Sequence, residues 1–303
     1  MRFAISIPQT FEGSIDPGYI KDYLQAAEDM DCFEAAWDQE QILGAMPTLE
    51  PVELLTFAAA CTRRLRLGCA VLLTALRSPV HVAKALATLD HLSQGRLTVG
   101  VGLGAAPRIY PAFGAQAETR AARFSEGIRL IKELWTEERV TFEGRFWQLE
   151  NAAMEPKPVQ KPHPPIWFGG AHPNALRRAV RLGDGYIGAG SSPTDQFAQS
   201  VQHIRSFLAE AKRDAASFPI SKRVYIAVDD SKDRAWEGLA HWFQLRYGRT
   251  EYQHIAIYGP PGECVDKLRE VAAAGAGMIL LTPVYDDRQQ MERLAKDVVP
   301  QLL

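Results

Sequence analysis

Two glycine-rich segments contain the residue types that commonly lie against a phosphate group. Residues 96–106 read RLTVGVGLGAA, in which Gly100 to Ala105 fits the pattern G-x-G-x-x-G/A of dinucleotide-binding proteins. Residues 169–174 read GGAHPN, where an apolar run ends and a helical pattern begins. A helix start offers free backbone N–H groups and a positive dipole end, so both segments are candidate anion sites. The alternative for each is an ordinary glycine-containing turn.

The first segment lacks the context of a dinucleotide fingerprint. That motif needs glycines at the turn that opens a helix, in the first strand–helix–strand unit of its domain, with an acid about 20 residues further on. Pro107 and the turn at 111–114 separate these glycines from the next helical pattern. The nearest acids, Glu118 and Glu126, fall at or within that helix. We therefore predict that the glycines lie at the C-terminal end of a strand, where small residues let a ligand approach the backbone.

The elements that position these segments alternate between short apolar runs and amphipathic helical patterns. Near-continuous apolar strands alternating with helices indicate a parallel sheet, and eight such units in a chain of 303 residues predict a (β/α)8 TIM barrel. A doubly wound sheet is the competing fold. The predicted strands are 3–9, 32–38, 65–74, 96–102, 165–170, 184–190, 222–230 and 277–284.

One segment interrupts the cycle of strands and helices. Residues 136–164, between the fourth helix and the fifth strand, contain the hairpin-like VTFEGRFWQL and a proline-rich tail. We predict one domain over 1–303 with this segment as an insertion, forming a rim or lid over the active-site end of the barrel.

Composition excludes several classes of function. The chain has 34 basic and 36 acidic residues, a net charge of −2, and no long run of one sign, which argues against a nucleic-acid or anionic-membrane partner. No window approaches the roughly 20 apolar residues of a membrane span, and the start has no signal-peptide pattern. The four cysteines lack the close spacing of a zinc or redox site. We predict a cytoplasmic protein without a metal.

Residues 78–104 and 164–187 resemble the signature segments of the bacterial luciferase-like flavin-dependent oxidoreductases, and residues 120–135, 140–149 and 292–302 match as well. The resemblance implies a TIM barrel, usually a homodimer, that binds FMN or the 8-hydroxy-5-deazaflavin coenzyme F420 at the C-terminal ends of its strands. It also implies a non-proline cis peptide on the third strand, behind the flavin ring.

The resemblance assigns cofactor contacts to both glycine segments and to the third strand. Family members often have an arginine where Leu103 stands, and hydroxyl residues where Ala171 and Asn174 stand. The cis peptide falls at Ala70–Val71. The predicted cofactor-binding residues are Ala70, Val71, Gly102, Leu103, Gly104, Gly169, Gly170, Ala171, His172 and Asn174.

Two residues after the second strand are candidate catalytic residues. Trp37 to Gln41 resembles the family stretch W-x-x-[DE]-H, whose acid and histidine lie near the reactive edge of the ring. Glu40 retains the acid, whereas Gln41 replaces the histidine. Glutamine cannot titrate, so Gln41 could orient a substrate by hydrogen bonds but could not move a proton.

The resemblance implies an FMN-dependent monooxygenase that uses oxygen on a small organic substrate and receives reduced flavin from a separate flavin reductase. A deazaflavin-dependent oxidoreductase that transfers a hydride is the first alternative. A flavin-binding protein without turnover is the second. Candidate aromatic residues for an apolar substrate pocket, or equally for the core, are Tyr110, Phe113, Tyr225 and Trp242.

Overall fold

Over residues 1–104 and 107–303, the computed structural model contains eleven β-strands and nine α-helices. The strands are β1 (Arg2–Ser6), β2 (Ala35–Asp38), β3 (Arg66–Cys69), β4 (Leu97–Val101), β5 (Val140–Glu143), β6 (Gln148–Ala152), β7 (Ile166–Gly169), β8 (Gly185–Gly188), β9 (Ile220–Val228), β10 (Ala256–Gly259) and β11 (Met278–Thr282). The helices are α1 (Pro17–Asp29), α2 (Pro51–Cys61), α3 (Pro79–Leu92), α4 (Arg120–Thr136), α5 (Pro173–Leu182), α6 (Thr194–Glu210), α7 (Lys232–Tyr247), α8 (Pro261–Ala273) and α9 (Asp287–Arg293).

Eight strands form a closed parallel barrel in the order β1, β2, β3, β4, β7, β8, β9, β11, with β11 paired to β1. Every residue of β4 and of β11 is buried, because one face of each strand points into the barrel and the other packs under helices. This arrangement confirms the predicted (β/α)8 fold and excludes the doubly wound alternative.

An additional strand, β10, was not predicted from the sequence. It pairs in parallel with the second half of β9, from Tyr225 to Val228, while the first half of β9 completes the barrel. Four residues, AIYG, give too short a pattern to separate a strand from a loop.

The insertion forms a hairpin of β5 and β6, which confirms its hairpin pattern. The buried carboxylate of Glu126 on α4 accepts hydrogen bonds from the backbone N–H groups of Arg145, Phe146 and Trp147 at 2.7–3.1 Å. Further along, Gln160 binds Asp90 of α3. These contacts hold the insertion against the outer helices, and none of its residues lines the cavity described below, so a role as a rim or lid stays a prediction.

Large side chains fill the lower part of the barrel. The rings of Trp37 and Trp167 lie 5.5 Å apart between their centroids, and they pack with Ala4, Ala35, Ile187, Met278 and Leu280. Within the barrel, this packing leaves the C-terminal end of the strands as the place for a ligand, as is usual in this fold.

None of the helices in the described part of the chain combines the length and apolar character that a bilayer crossing requires. Among the same residues there is no group of three or more His, Cys, Asp or Glu side chains placed to hold a metal ion. All four cysteines are free thiols.

Candidate active site

A cavity of about 370 Å³ opens at the C-terminal end of the barrel strands. Its size falls within the range of about 300–1,000 Å³ typical of small-molecule sites. Most of the lining is glycine, alanine and apolar side chains, and its cationic side chains are Arg178 and Arg223. No carboxylate belongs to the lining among the described residues. The cavity is therefore suited to an apolar molecule that carries negative groups.

The structure brings nine of the ten predicted cofactor-binding residues to this cavity. These are Ala70, Val71, Gly102, Leu103, Gly104, Gly169, Gly170, Ala171 and His172. The tenth, Asn174, is exposed and does not line it. Ala105, at the end of the glycine motif, lies outside the described residues. The cofactor-binding role of this set stays a prediction.

Two of the glycines make room for Val71. A Cβ on Gly102 would lie 2.5 Å from Cγ2 of Val71, and a Cβ on Gly169 would lie 3.0 Å from its Cγ1. The peptide bond between Ala70 and Val71 is cis, at the position that the resemblance implies. The glycines therefore admit a neighbouring side chain of the same wall, in addition to any ligand.

The loop before α5 forms the anion-binding end of the cavity. His172 is the N-cap of α5, and its Nδ1 accepts the backbone N–H of Asn174 at 3.2 Å. A neutral ring that accepts at Nδ1 carries its proton on Nε2, which remains available as a donor. Gly170, Ala171 and His172 thus line the cavity at the positive end of a helix.

Arg178 adds a cationic side chain at this end, one turn into α5. Its guanidinium lies 5.8 Å from the ring centroid of Phe124, another lining residue. Burial, and then the charge of Arg181, lower the pKa of Arg178, so its surroundings disfavour the cation. Among the described residues it forms no ion pair with a carboxylate, and a bound anion would relieve this cost.

A second polar group lies across the cavity on β9. The guanidinium of Arg223 donates through Nε to Oγ1 of Thr282 at 3.2 Å and lies 4.6 Å from the ring centroid of Tyr225. The Tyr225 hydroxyl is 2.7 Å from that of Tyr247. Burial of the hydroxyl, and then its closeness to Tyr225, raise the pKa of Tyr247. Of the four candidate pocket aromatics only Tyr225 lines the cavity.

The two candidate catalytic residues lie outside the cavity lining. The side chain of Glu40 is 0% exposed, pairs with Nη2 of Arg77 at 2.6 Å and accepts the backbone N–H of Leu73. Arg77 also pairs with Glu50. The Oε1 of Gln41 is buried without a partner among the described residues. Glu40 thus ties the segment after β2 to the segment after β3, and a catalytic role for Glu40 or Gln41 stays a prediction.

The surroundings stabilise the positive charge of Arg77 more than the negative charge of Glu40. Burial raises the pKa of Glu40 although Arg77 and the Leu73 N–H act to lower it. Burial alone would lower the pKa of Arg77, but Glu40 and Glu50 together raise it. Two carboxylates therefore stabilise the charge of Arg77, whereas the contacts of Glu40 do not fully offset the cost of burying its negative charge.

Glu40→Gln is expected to leave the free energy of unfolding within about 1 kcal/mol of the wild type. The amide oxygen can still accept the Leu73 N–H, and Arg77 keeps Glu50. Glu40→Ala removes the acceptor and is expected to cost about 2 kcal/mol. Urea unfolding measures both, with exposed Glu53→Gln as the control. Loss of reaction rate in a folded Glu40→Gln protein would instead make Glu40 catalytic.

Sequence reasoning missed Arg178, Arg223 and Tyr247. Arg223 left a signal, because it belongs to a pair of basic residues inside the otherwise apolar strand KRVYIAV. Arg178 and Tyr247 lie on helices among other polar residues and left none.

Comparison with known proteins agrees with this geometry. The family model for luciferase-like monooxygenases matches residues 1–256. A protein of Kineococcus radiotolerans named as an F420-dependent glucose-6-phosphate dehydrogenase is 30% identical over 319 residues, covering 94% of this chain and 93% of the relative.

Two solved structures show the same fold. Monooxygenase RslO1 of Streptomyces bottropensis has a TM-score of 0.86 at 24% identity and covers 100% of both chains. An F420-dependent secondary alcohol dehydrogenase, solved with an F420-acetone adduct, has a TM-score of 0.83 at 18% identity and covers 98% of both chains.

Proposed function

The chain belongs to the luciferase-like monooxygenase family and is an oxidoreductase, and from this premise we propose that it transfers a hydride between the deazaflavin coenzyme F420 and a small organic substrate. The observation that carries the proposal is the relative from Kineococcus radiotolerans, which matches nearly the whole chain and is named for F420. The deazaflavin alternative thereby replaces FMN as the preferred cofactor.

The residues of the cavity fit such a coenzyme. Its phosphate would be held by the loop of Gly170, Ala171 and His172 and by Arg178, because a helix start lies there together with a cation that pairs with no carboxylate of residues 1–104 and 107–303. The ring would lie against the wall formed by Ala70 and Val71. Leu103 stands where luciferase-type members often have an arginine, which favours the proposal over FMN.

The bound deazaflavin would supply a carbon that donates or accepts a hydride. The protein excludes water through an apolar wall that includes Phe124, Phe168 and Ile187. The Tyr247 hydroxyl is protonated at neutral pH, as any tyrosine of ordinary pKa would be, and burial raises its pKa further. With Tyr225 it can donate to a substrate carbonyl oxygen. Since the described lining offers this donor and no carboxylate, we assign to the tyrosine pair the proton transfer that accompanies hydride transfer.

Binding of the two cofactors to the purified protein tests the proposal. We expect reduced F420 to bind at least about tenfold more tightly than reduced FMN, a difference of about 1.4 kcal/mol, measured by quenching of tryptophan fluorescence. Equal or tighter binding of FMN, with oxygen uptake in place of hydride transfer, would contradict the proposal and restore the monooxygenase with its reductase partner.

Two arginines on the same helix provide a matched pair of variants. Arg178→Met is expected to weaken F420 binding about tenfold or more, because a charged hydrogen bond to the phosphate is lost. Arg177→Met is the control, since Arg177 is exposed and pairs with Glu210 at 2.9 Å on the outer surface. If the two variants bind F420 with equal affinity, the proposal that its phosphate lies at this end of the cavity is contradicted. The homodimer that the resemblance implies stays a prediction.

A further inference from the structure

Arg223 is a buried cation that the protein leaves partly unsatisfied. The residue is 7% exposed and lines the cavity, and its Nη2 is buried without a hydrogen-bond partner among the described residues. Its hydrogen bond to Thr282 uses Nε, and no carboxylate of the described chain lies within ion-pair distance. A buried cation without a counter-charge is costly, so it needs a specific explanation.

A structural arginine of the same barrel shows the contrast. Arg96 donates to the carbonyl oxygens of Ser93, Leu65, Ala59 and Thr62 at 2.7–3.0 Å. Its three nitrogens therefore all have protein acceptors, at the opposite end of the strands from the cavity. Arg223 lies at the cavity end, and its Nη2 has no acceptor in the described part of the chain, as expected for a residue that binds a ligand.

We propose that Arg223 binds a carboxylate carried by the substrate. A guanidinium presents its terminal N–H groups in a planar fork that matches a carboxylate, and its single positive charge balances a single negative one. The lining residues beside it, including Tyr225 and Ile187, are neutral, and the nearby Arg246 does not belong to the lining, so Arg223 is the cation that this wall presents to the cavity in the described part of the chain. The inference rests on the proposed function in one respect, that the cavity is the site of reaction.

The two cationic side chains come from different strand–helix units of the barrel. Arg178 and His172 follow β7, whereas Arg223 is on β9, and β8 lies between these strands. Cofactor phosphate and substrate carboxylate are therefore assigned to separate ends of one cavity. This separation makes the assignment testable with single substitutions.

The test uses benzoate and its neutral counterpart benzamide as probes of the protein without cofactor, with binding measured by calorimetry. We expect benzoate to bind about 10- to 100-fold more tightly than benzamide, the usual contribution of a charged hydrogen bond. Arg223→Met should abolish this preference, Arg223→Lys should retain part of it, and Arg177→Met, at an exposed position outside the cavity lining, should leave it intact. Circular dichroism verifies that each variant is folded.

Three outcomes would overturn the inference. Benzoate and benzamide could bind the wild type equally, phenyl phosphate could bind more tightly than benzoate, or Arg223→Met could keep the preference. F420 affinity of the same variants separates this inference from the proposed function. Loss of F420 binding in Arg223→Met would assign Arg223 to the cofactor. Wild-type protein that binds benzoate but not F420 would support the carboxylate site at Arg223 and contradict the proposal that the coenzyme is F420.

Discussion

Gly100→Ala is expected to destabilise the protein by about 3 kcal/mol or more, the upper end of the cost of overpacking. A Cβ at this position would fall inside the van der Waals radius of the Cys69 carbonyl oxygen, and 3.4 Å from the Trp37 ring. The first obstacle is backbone, which cannot rotate away as a side chain can. Strands β3 and β4 would have to separate at the point where Leu72 donates to the Gly100 carbonyl at 2.8 Å.

The loss is a large share of the 5–15 kcal/mol by which a typical domain is stable. Urea unfolding of Gly100→Ala measures it, and Gly262→Ala on α8 is the control, because a Cβ there would meet nothing within 4 Å. The control should stabilise the protein by at most about 1 kcal/mol, because alanine favours a helix more than glycine does. A Gly100→Ala protein as stable as the control would contradict the close approach of β3 and β4.

The barrel could be predicted because burial on both faces leaves a plain pattern in each strand. MILLT of β11 and LTVGV of β4 are almost wholly apolar, and helices separate them from the next strand. β10 escaped prediction because its four residues, AIYG, give too short a pattern to separate a strand from a loop. The hairpin of the insertion could be predicted from its own residues, but its position depends on Glu126, which is distant in sequence.

The sequence predicts the parts of the site that consist of backbone and small residues, but not the placement of its charged side chains. Glycines at strand ends indicated the cavity wall, although the structure gives Gly102 and Gly169 a second purpose in admitting Val71. Arg223 could not be distinguished from Lys222 by sequence, since neighbouring strand residues point to opposite faces and only the stagger of the barrel decides which faces inward. Glu40 has the residue type of a catalytic acid, but Arg77 holds it outside the cavity.

Lys222, the neighbour of Arg223, is expected to make stability depend on pH. It is 1% exposed, and its Nζ donates to the carbonyl oxygens of Ala189 and Arg223 at 2.5 and 2.7 Å. Burial, and then the charge of Arg223, lower its pKa to about 7 from 10.5. A neutral amine has two N–H groups, enough for both carbonyls, so the deprotonated form is fully hydrogen-bonded.

The direction of the pH dependence follows from the number of protons bound in the folded and unfolded states. Between about pH 7 and 10.5 the unfolded chain holds a proton on this lysine that the folded protein lacks, so the free energy of unfolding rises with pH. The contribution is at most about 1.4 kcal/mol per pH unit. Below pH 7 both states are protonated, and the cost of burying the cation is fully present.

Urea unfolding of wild type and Lys222→Met from pH 7 to pH 9 isolates this contribution, because the other titrating groups are shared. The wild type should gain stability relative to Lys222→Met across this interval, whereas Lys21→Met, at an exposed position on α1, should follow the wild type. Parallel profiles for wild type and Lys222→Met would mean that the lysine keeps its ordinary pKa. Because Ala189 lines the cavity, the same two hydrogen bonds fix one wall of the site beside Arg223.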